Sequence, residues 1–263
     1  KGIITQTSVA PYNQWIPDGW VEDAHAKRIQ GIAVARTSGF DQLPDPLLGA
    51  RAHLARPASG LIEDTGVLGG AATSLIVNEA RLATPERPLV LIMGGPLTLA
   101  AAAYLLDPSI ANRLVVAWLG GNLVSMGDYN GWADPWAAYI ALDRLKLFVF
   151  PVGIADPQVP KSRIRDDLPD TPLRAWMLAK AHPTNGLPGS RDADGAPAIG
   201  LMRADYVRTV RRVAFGQWIV SDGREVPAFA DDPNGDAFLV TDADVARASA
   251  EFWRALTNPG AYE

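Results

Sequence analysis

Short unbroken apolar runs alternate along this chain with segments whose apolar residues recur at helical spacing. Residues 89–93, LVLIM, and 114–119, LVVAWL, have strand length and no polar alternation, the pattern of strands buried on both faces. Each ends in glycine: Gly94-Gly95-Pro96 after the first, Gly120-Gly121 after the second. Between them, residues 97–106 are rich in Ala and Leu and predict a helix closed by Asp107-Pro108. The second run opens into a polar loop with Asn122, Asp128 and Asn130. Asp134 can cap the next helix, with Pro135 at its first position, and that helix continues to Leu142. Two parallel strands therefore end side by side, each emptying into a glycine-rich loop. In open α/β sheets that carboxyl edge is where ligands bind.

The flanking segments extend the same alternation. Residues 2–7 read as a buried strand, 8–20 as a loop containing Trp15 and Trp20, and 21–36 as a helix followed by the turn-rich SGFDQLPDP. An apolar-faced helix spans about 71–82, and Asp64 before it either caps it or faces the pocket, capping being favoured. LKLFVFPVG is a further buried strand, and 156–170 is a polar, Pro-rich excursion. Residues 171–181 predict a helix, 182–195 a second glycine-rich loop, and 210–220 a half-solvated strand from its alternation. SDGRE is a turn, 238–241 a strand, and 242–256 a terminal helix capped by Thr241 or Asp242. With no repeat and no linker, the 263 residues read as one domain.

Composition narrows the function classes. A hydrophobic content of 48% and a charged content of 20% fit a globule, and a net charge of −5 gives no general attraction for nucleic acid or anionic membrane. The absence of cysteine excludes disulfides, thiolate metal sites and cysteine nucleophiles, and leaves the compartment open. No apolar run approaches the ~20 residues of a membrane span. GVLGGA follows no strand, which argues against a dinucleotide turn, and no G-x-S-x-G, H-E-x-x-H or P-loop motif occurs. The chain begins with Lys and runs straight into a strand, so its true N-terminus is expected upstream.

At the central stretch, GGPLTLAAAAYLLDP resembles the "GPLTN-L-A" turn and helix of the nucleoside hydrolases, and LGG followed by GDYNGWADPWAA resembles their "MGG … EFN-x-x-x-DP-x-AA" segment. Residues 192–207 carry a weaker echo of "HD-P-L-A-V-A-x-L-x-P". The resemblance implies a mainly parallel, Rossmann-like open sheet flanked by helices, with a short antiparallel C-terminal addition. It implies calcium-dependent hydrolysis of the N-glycosidic bond of ribonucleosides or a related glycoside, by a dimer or tetramer. It assigns Asn122, Asp128 and Asn130 to the sugar, with Trp132 flanking them as a candidate pocket wall, and the Gly94 carbonyl with Asp194, or alternatively Asp192, to calcium. The family's D-x-D-x-x-x-D-D cluster, which holds calcium and supplies the catalytic base, is absent here, so base and main ligands are expected upstream of Lys1 or are lost.

The same residues have plainer readings. Asn and Asp favour turns whether or not a sugar binds, and Asp134 reads as an N-cap before a ligand. Trp118 and Trp132 either wall the pocket or fill the core. His25, His53 and His182 are isolated, with only His182 in a candidate loop. Asp128 stands where the family motif has Glu, so its shorter side chain reaches less far. A protein that keeps the fold and binds sugar without catalysis is the rival reading.

Overall fold

The computed structural model describes residues 1–7, 19–180, 195–258 and 260. The first half comprises β1 (Ile3–Thr5), α1 (Trp20–Arg36), β2 (Pro46–Leu48), α2 (Ala71–Arg81), β3 (Leu89–Met93), α3 (Thr98–Leu106), β4 (Leu114–Leu119), α4 (Tyr129–Ala133) and α5 (Pro135–Arg144). The second comprises β5 (Lys146–Phe150), α6 (Lys161–Asp167), α7 (Pro172–Lys180), α8 (Gly195–Met202), β6 (Val207–Ser221), β7 (Arg224–Asp231), β8 (Ala237–Ala243) and α9 (Val245–Thr257). The main sheet has the order β3-β4-β5-β8-β6-β7, while β1 and β2 form a separate parallel pair. Strands β3, β4, β5 and β8 run parallel, and β6 and β7 add the antiparallel end.

Two helical layers cover the sheet. One face, with α2, α3 and α5, buries Leu114, Val116 and Trp118 of β4 in the largest apolar cluster. The other buries Ala117 and Phe150 beneath α8 and α9. Small residues let the first layer pack closely: Ala100 to Ala103 of α3 are fully buried, and α3 touches both α2 and α5. The sheet curls, so that β7 at its far end packs back on α4 and α5. There Trp136 of α5 stacks on Trp218 of β6 at 6.1 Å, with the Arg56 guanidinium over both rings.

Several expectations change. Strand β4 is buried throughout, as its pattern predicts, but β3 is not: Val90 and Ile92 are 45% and 47% exposed. The apolar run identifies a strand, but no periodicity tells whether both of its faces are covered. Only Thr5 of β1 is buried. A short strand, β2, forms in the turn-rich segment because β1 lends it a partner, and a helix, α6, forms within the polar excursion. Asp64 lies exposed in a short 3-10 turn and does not cap α2, whose N-cap is Gly70. The terminal helix is capped by Asp244, whose carboxylate accepts from the Arg247 N–H.

Candidate functional site

The site is built where β3 and β4 end. Asn130 is the buried link between them: its Nδ2 donates to the Leu119 carbonyl at 2.9 Å and to the Gly94 carbonyl at 3.2 Å. The indole of Trp118, fully buried, donates to the neighbouring Gly95 carbonyl at 2.9 Å. Both turns are thus held by side chains supplied from β4 and its loop. The end of β1 closes in from the other side, since a Cβ on Gly95 would lie 3.0 Å from the Gln6 carbonyl oxygen. His25 reaches this end too, with Nδ1 3.0 Å from the Thr5 hydroxyl.

The β4 loop is a folded object, not an extended grip. Asn122 accepts from the N–H groups of Val124 and Ser125 through Oδ1, and donates to the Gly127 carbonyl and Ser125 hydroxyl through Nδ2. Its amide shapes the loop through both Oδ1 and Nδ2. Gly121 takes φ 71°, a left-handed turn that suits glycine. Residues 124–126 are pinned to β7 by Phe229 N–H to Val124 C=O at 2.9 Å and Met126 N–H to Pro227 C=O at 2.8 Å. The antiparallel addition therefore fixes the loop, a role that local sequence does not signal.

Asp128 and Asn130 lie at the start of a short helix, α4. Asp128 is the N-cap of α4, and its carboxylate accepts from the Gly131 N–H at 2.8 Å. Tyr129, at the start of α4, is 54% exposed. Burial pushes the Asp128 carboxyl up to about 6, against the lowering effect of N–H groups from Gly121, Gly131 and Asn130. A carboxyl in that range changes charge near neutrality. Trp132 lies on α4 beneath the Arg224 guanidinium at 5.4 Å, and its buried Nε1 has no hydrogen-bond partner among the described residues.

Asp134 is structural, as its capping position predicts. Its carboxylate accepts from the Ala137 N–H, the Leu54 N–H at 2.9 Å and the Thr98 hydroxyl at 2.7 Å, joining three segments at one buried point. Burial raises its pKa, opposed by these bonds and by nearby His53.

Asp192, Asp194, His182 and Trp15 lie outside the described residues. Among the described residues, no group of three or more His, Cys, Asp or Glu could hold a metal. Calcium takes about six to eight oxygen ligands. Of the expected ligands, the described residues include the Gly94 carbonyl, which already accepts from Asn130. By themselves the described residues do not fit a calcium site.

No protein-family model and no curated protein sequence matches the chain. Solved structures do match. A plant nucleoside hydrolase superposes with TM-score 0.63 at 15% identity, covering 91% of this chain and 87% of its own. An inosine-guanosine nucleoside hydrolase gives 0.64 at 13%, covering 90% and 86%. The chain has the nucleoside hydrolase fold. A purine-preferring ribonucleoside hydrolase from Gardnerella vaginalis matches similarly, with TM-score 0.63 at 18% identity and coverage of 86% and 84%. Within the nucleoside hydrolase fold, the turn after β3 and the loop after β4 meet through Asn130.

Proposed function

We propose that this protein hydrolyses the N-glycosidic bond of a ribonucleoside or a related glycoside. The observation carrying this reading is the Asn130 link, which joins two glycine turns at the carboxyl ends of parallel strands in a nucleoside hydrolase fold. Such a reaction passes through an oxocarbenium-like sugar. Acceptors near the ring hydroxyls bind more strongly as positive charge develops on the sugar. The Gly94 carbonyl, on an exposed turn, and the Asp128 carboxylate supply such acceptors. Asn130 positions the first and α4 positions the second; Asn122 holds the loop. The base that activates water lies, on this reading, outside the described residues. Calcium belongs to the proposal only with carboxylates from outside those residues, such as Asp192 and Asp194.

A sugar-binding protein without catalysis is the second reading. It is favoured by the absence of a metal-holding group among the described residues and by Asp128 in place of Glu. Release of ribose from inosine, guanosine and uridine, measured with and without chelator, separates the two. Turnover that stops on chelation supports the calcium-dependent hydrolase. Ribose binding by calorimetry without turnover of any nucleoside establishes the second reading and refutes the first.

A further inference from the structure

We propose that a cavity between α9 and the segment leading into β6 binds a small phosphate-class oxyanion, held by Arg203, Arg247 and Arg254. The cavity has a volume of about 200 Å³, below the ~300 Å³ at which pockets for drug-sized ligands begin. Two elements build it. Arg247, Ala250, Glu251 and Arg254 recur at helical spacing and so share one face of α9. Arg203 and Asp205 face them from the short segment between α8 and β6, where the Arg203 N–H closes the last turn of α8 on the Ile199 carbonyl at 2.8 Å. The short side chain of Ala250 leaves space between the long ones, and the buried Tyr206 backs it.

The charges that line the cavity do not balance. Three guanidinium groups meet two carboxylates, a surplus of one positive charge. Both carboxylates are shared: Asp205 Oδ2 accepts from Arg203 and from Arg247, and Glu251 Oε2 accepts from Arg203 and from Arg254. Arg203 is the loosely held member. Its two bonds to Asp205 measure 3.3 and 3.4 Å and its bond to Glu251 3.3 Å, beyond the ~2.7–2.9 Å of a charge-assisted bond. Asp205 and Glu251 raise the pKa of Arg203 while Arg254 lowers it, so like charges oppose each other here. Asp244, one turn before Arg247, accepts from Arg208 at 3.1 Å and does not line the cavity.

Exposed ion pairs contribute little to stability, so fastening α9 does not by itself account for a third arginine among two acids. An oxyanion between the three guanidinium groups neutralises the surplus and gives Arg203 a short, charge-assisted partner. Guanidinium forks match the oxygens of phosphate. A phosphoryl group carries about −1.5 to −2 charge at pH 7 and three acceptor oxygens, one for each arginine, whereas a carboxylate carries one charge on two oxygens. Asp205, half exposed at the rim, is the carboxylate that such an anion displaces from Arg203. The bound anion ties the carboxyl end of α8 to α9. No residue of the turns after β3 and β4 lines this cavity, and the assignment holds whether or not the protein cleaves nucleosides.

Titration calorimetry at fixed ionic strength tests this with inorganic phosphate, glycerol phosphate and acetate. Saturable binding of one phosphate per chain is expected, with acetate at least about 10-fold weaker. Arg203→Gln should weaken phosphate binding at least about 10-fold, the loss expected for one charge-assisted contact, while Arg81→Gln, on α2, leaves it unchanged. Asp205→Asn removes the competing carboxylate and should tighten binding about 3-fold or more, a gain that a purely structural ion pair would not give. Tighter binding of glycerol phosphate assigns the site to a phosphomonoester; equal or tighter binding of phosphate assigns it to the free anion. The proposal is overturned by the lack of saturable binding, by equal affinity in Arg203→Gln and wild type, or by acetate binding as strongly as phosphate. Weaker binding in Asp205→Asn also overturns it, and that variant carries the test alone if Arg203→Gln does not fold.

Discussion

Replacing Asn130 by aspartate changes almost nothing in shape and reverses the chemistry of the link between the two strand ends. The amide nitrogen faces two carbonyl oxygens at 2.9 and 3.2 Å, so a carboxylate there would set lone pairs against lone pairs in a buried position. The protein can escape by protonating the new acid, which bounds the cost. Holding a carboxyl of ordinary pKa protonated at pH 7 takes about 3 units at about 1.4 kcal/mol each, or about 4 kcal/mol. The protonated acid then donates to one carbonyl, losing the second bond at a further cost of about 1 kcal/mol. Asn130→Asp should therefore destabilise by about 5 kcal/mol at pH 7. The folded pKa of the introduced acid lies above its unfolded value, so the folded state holds the extra proton and stability rises as pH falls. The deficit should shrink by about 1.4 kcal/mol per unit, to roughly 1–2 kcal/mol at pH 4. Asn130→Ala loses both bonds and should cost about 2–3 kcal/mol with no such slope. Urea unfolding of wild type and both variants from pH 4 to 7 measures this. A pH-independent deficit in Asn130→Asp, or one below about 1 kcal/mol at pH 7, would show that this amide does not hold the two turns.

Asp128, with its carboxyl at about 6, also favours the folded state when protonated, so this contribution is full below about 4 and is lost as pH rises through about 6. Asp128→Asn should flatten the stability profile between these values and remove a limb near pH 6 from the pH profile of glycoside cleavage; an unaltered profile in both assays would contradict the burial argument. Gly131→Ala places a Cβ 1.7 Å from the Met126 carbonyl oxygen, and should cost about 3 kcal/mol or more in thermal or urea unfolding. Gly69→Ala, with nothing within 4 Å, should stay within about 0.5 kcal/mol of wild type. Equal behaviour of the two glycine variants would mean that the α4 turn is not tightly packed.

The alternation of apolar runs and helical stretches, read with the glycine turns, was enough to locate β3, α3, β4 and α5 and to bring their loops to one edge. It was enough for Asp134 as well, because capping is a local interaction: the carboxylate bonds an N–H three residues on. The echo of residues 94–138 pointed to the turns that Asn130 joins. The shape of the loop was not legible. Whether Asn122 reaches outward or folds back depends on Gly127 and on the clamp from β7, whose register is set about a hundred residues later. Nor did the sequence show that Asp128 begins a helix, since five residues are too few for a periodic signal.

The sequence alone determined β3, α3, β4 and α5 and which loops carry amides and carboxylates, because backbone propensity, capping and turn chemistry act over a few residues. Only the tertiary structure decided that β3 has an uncovered face, that Asn130 bonds both strand-end turns, and that β1 pairs with β2 apart from the main sheet. Burial and edge pairing depend on what distant parts of the chain bring alongside, and a five-residue apolar run reads the same whether or not a neighbour arrives.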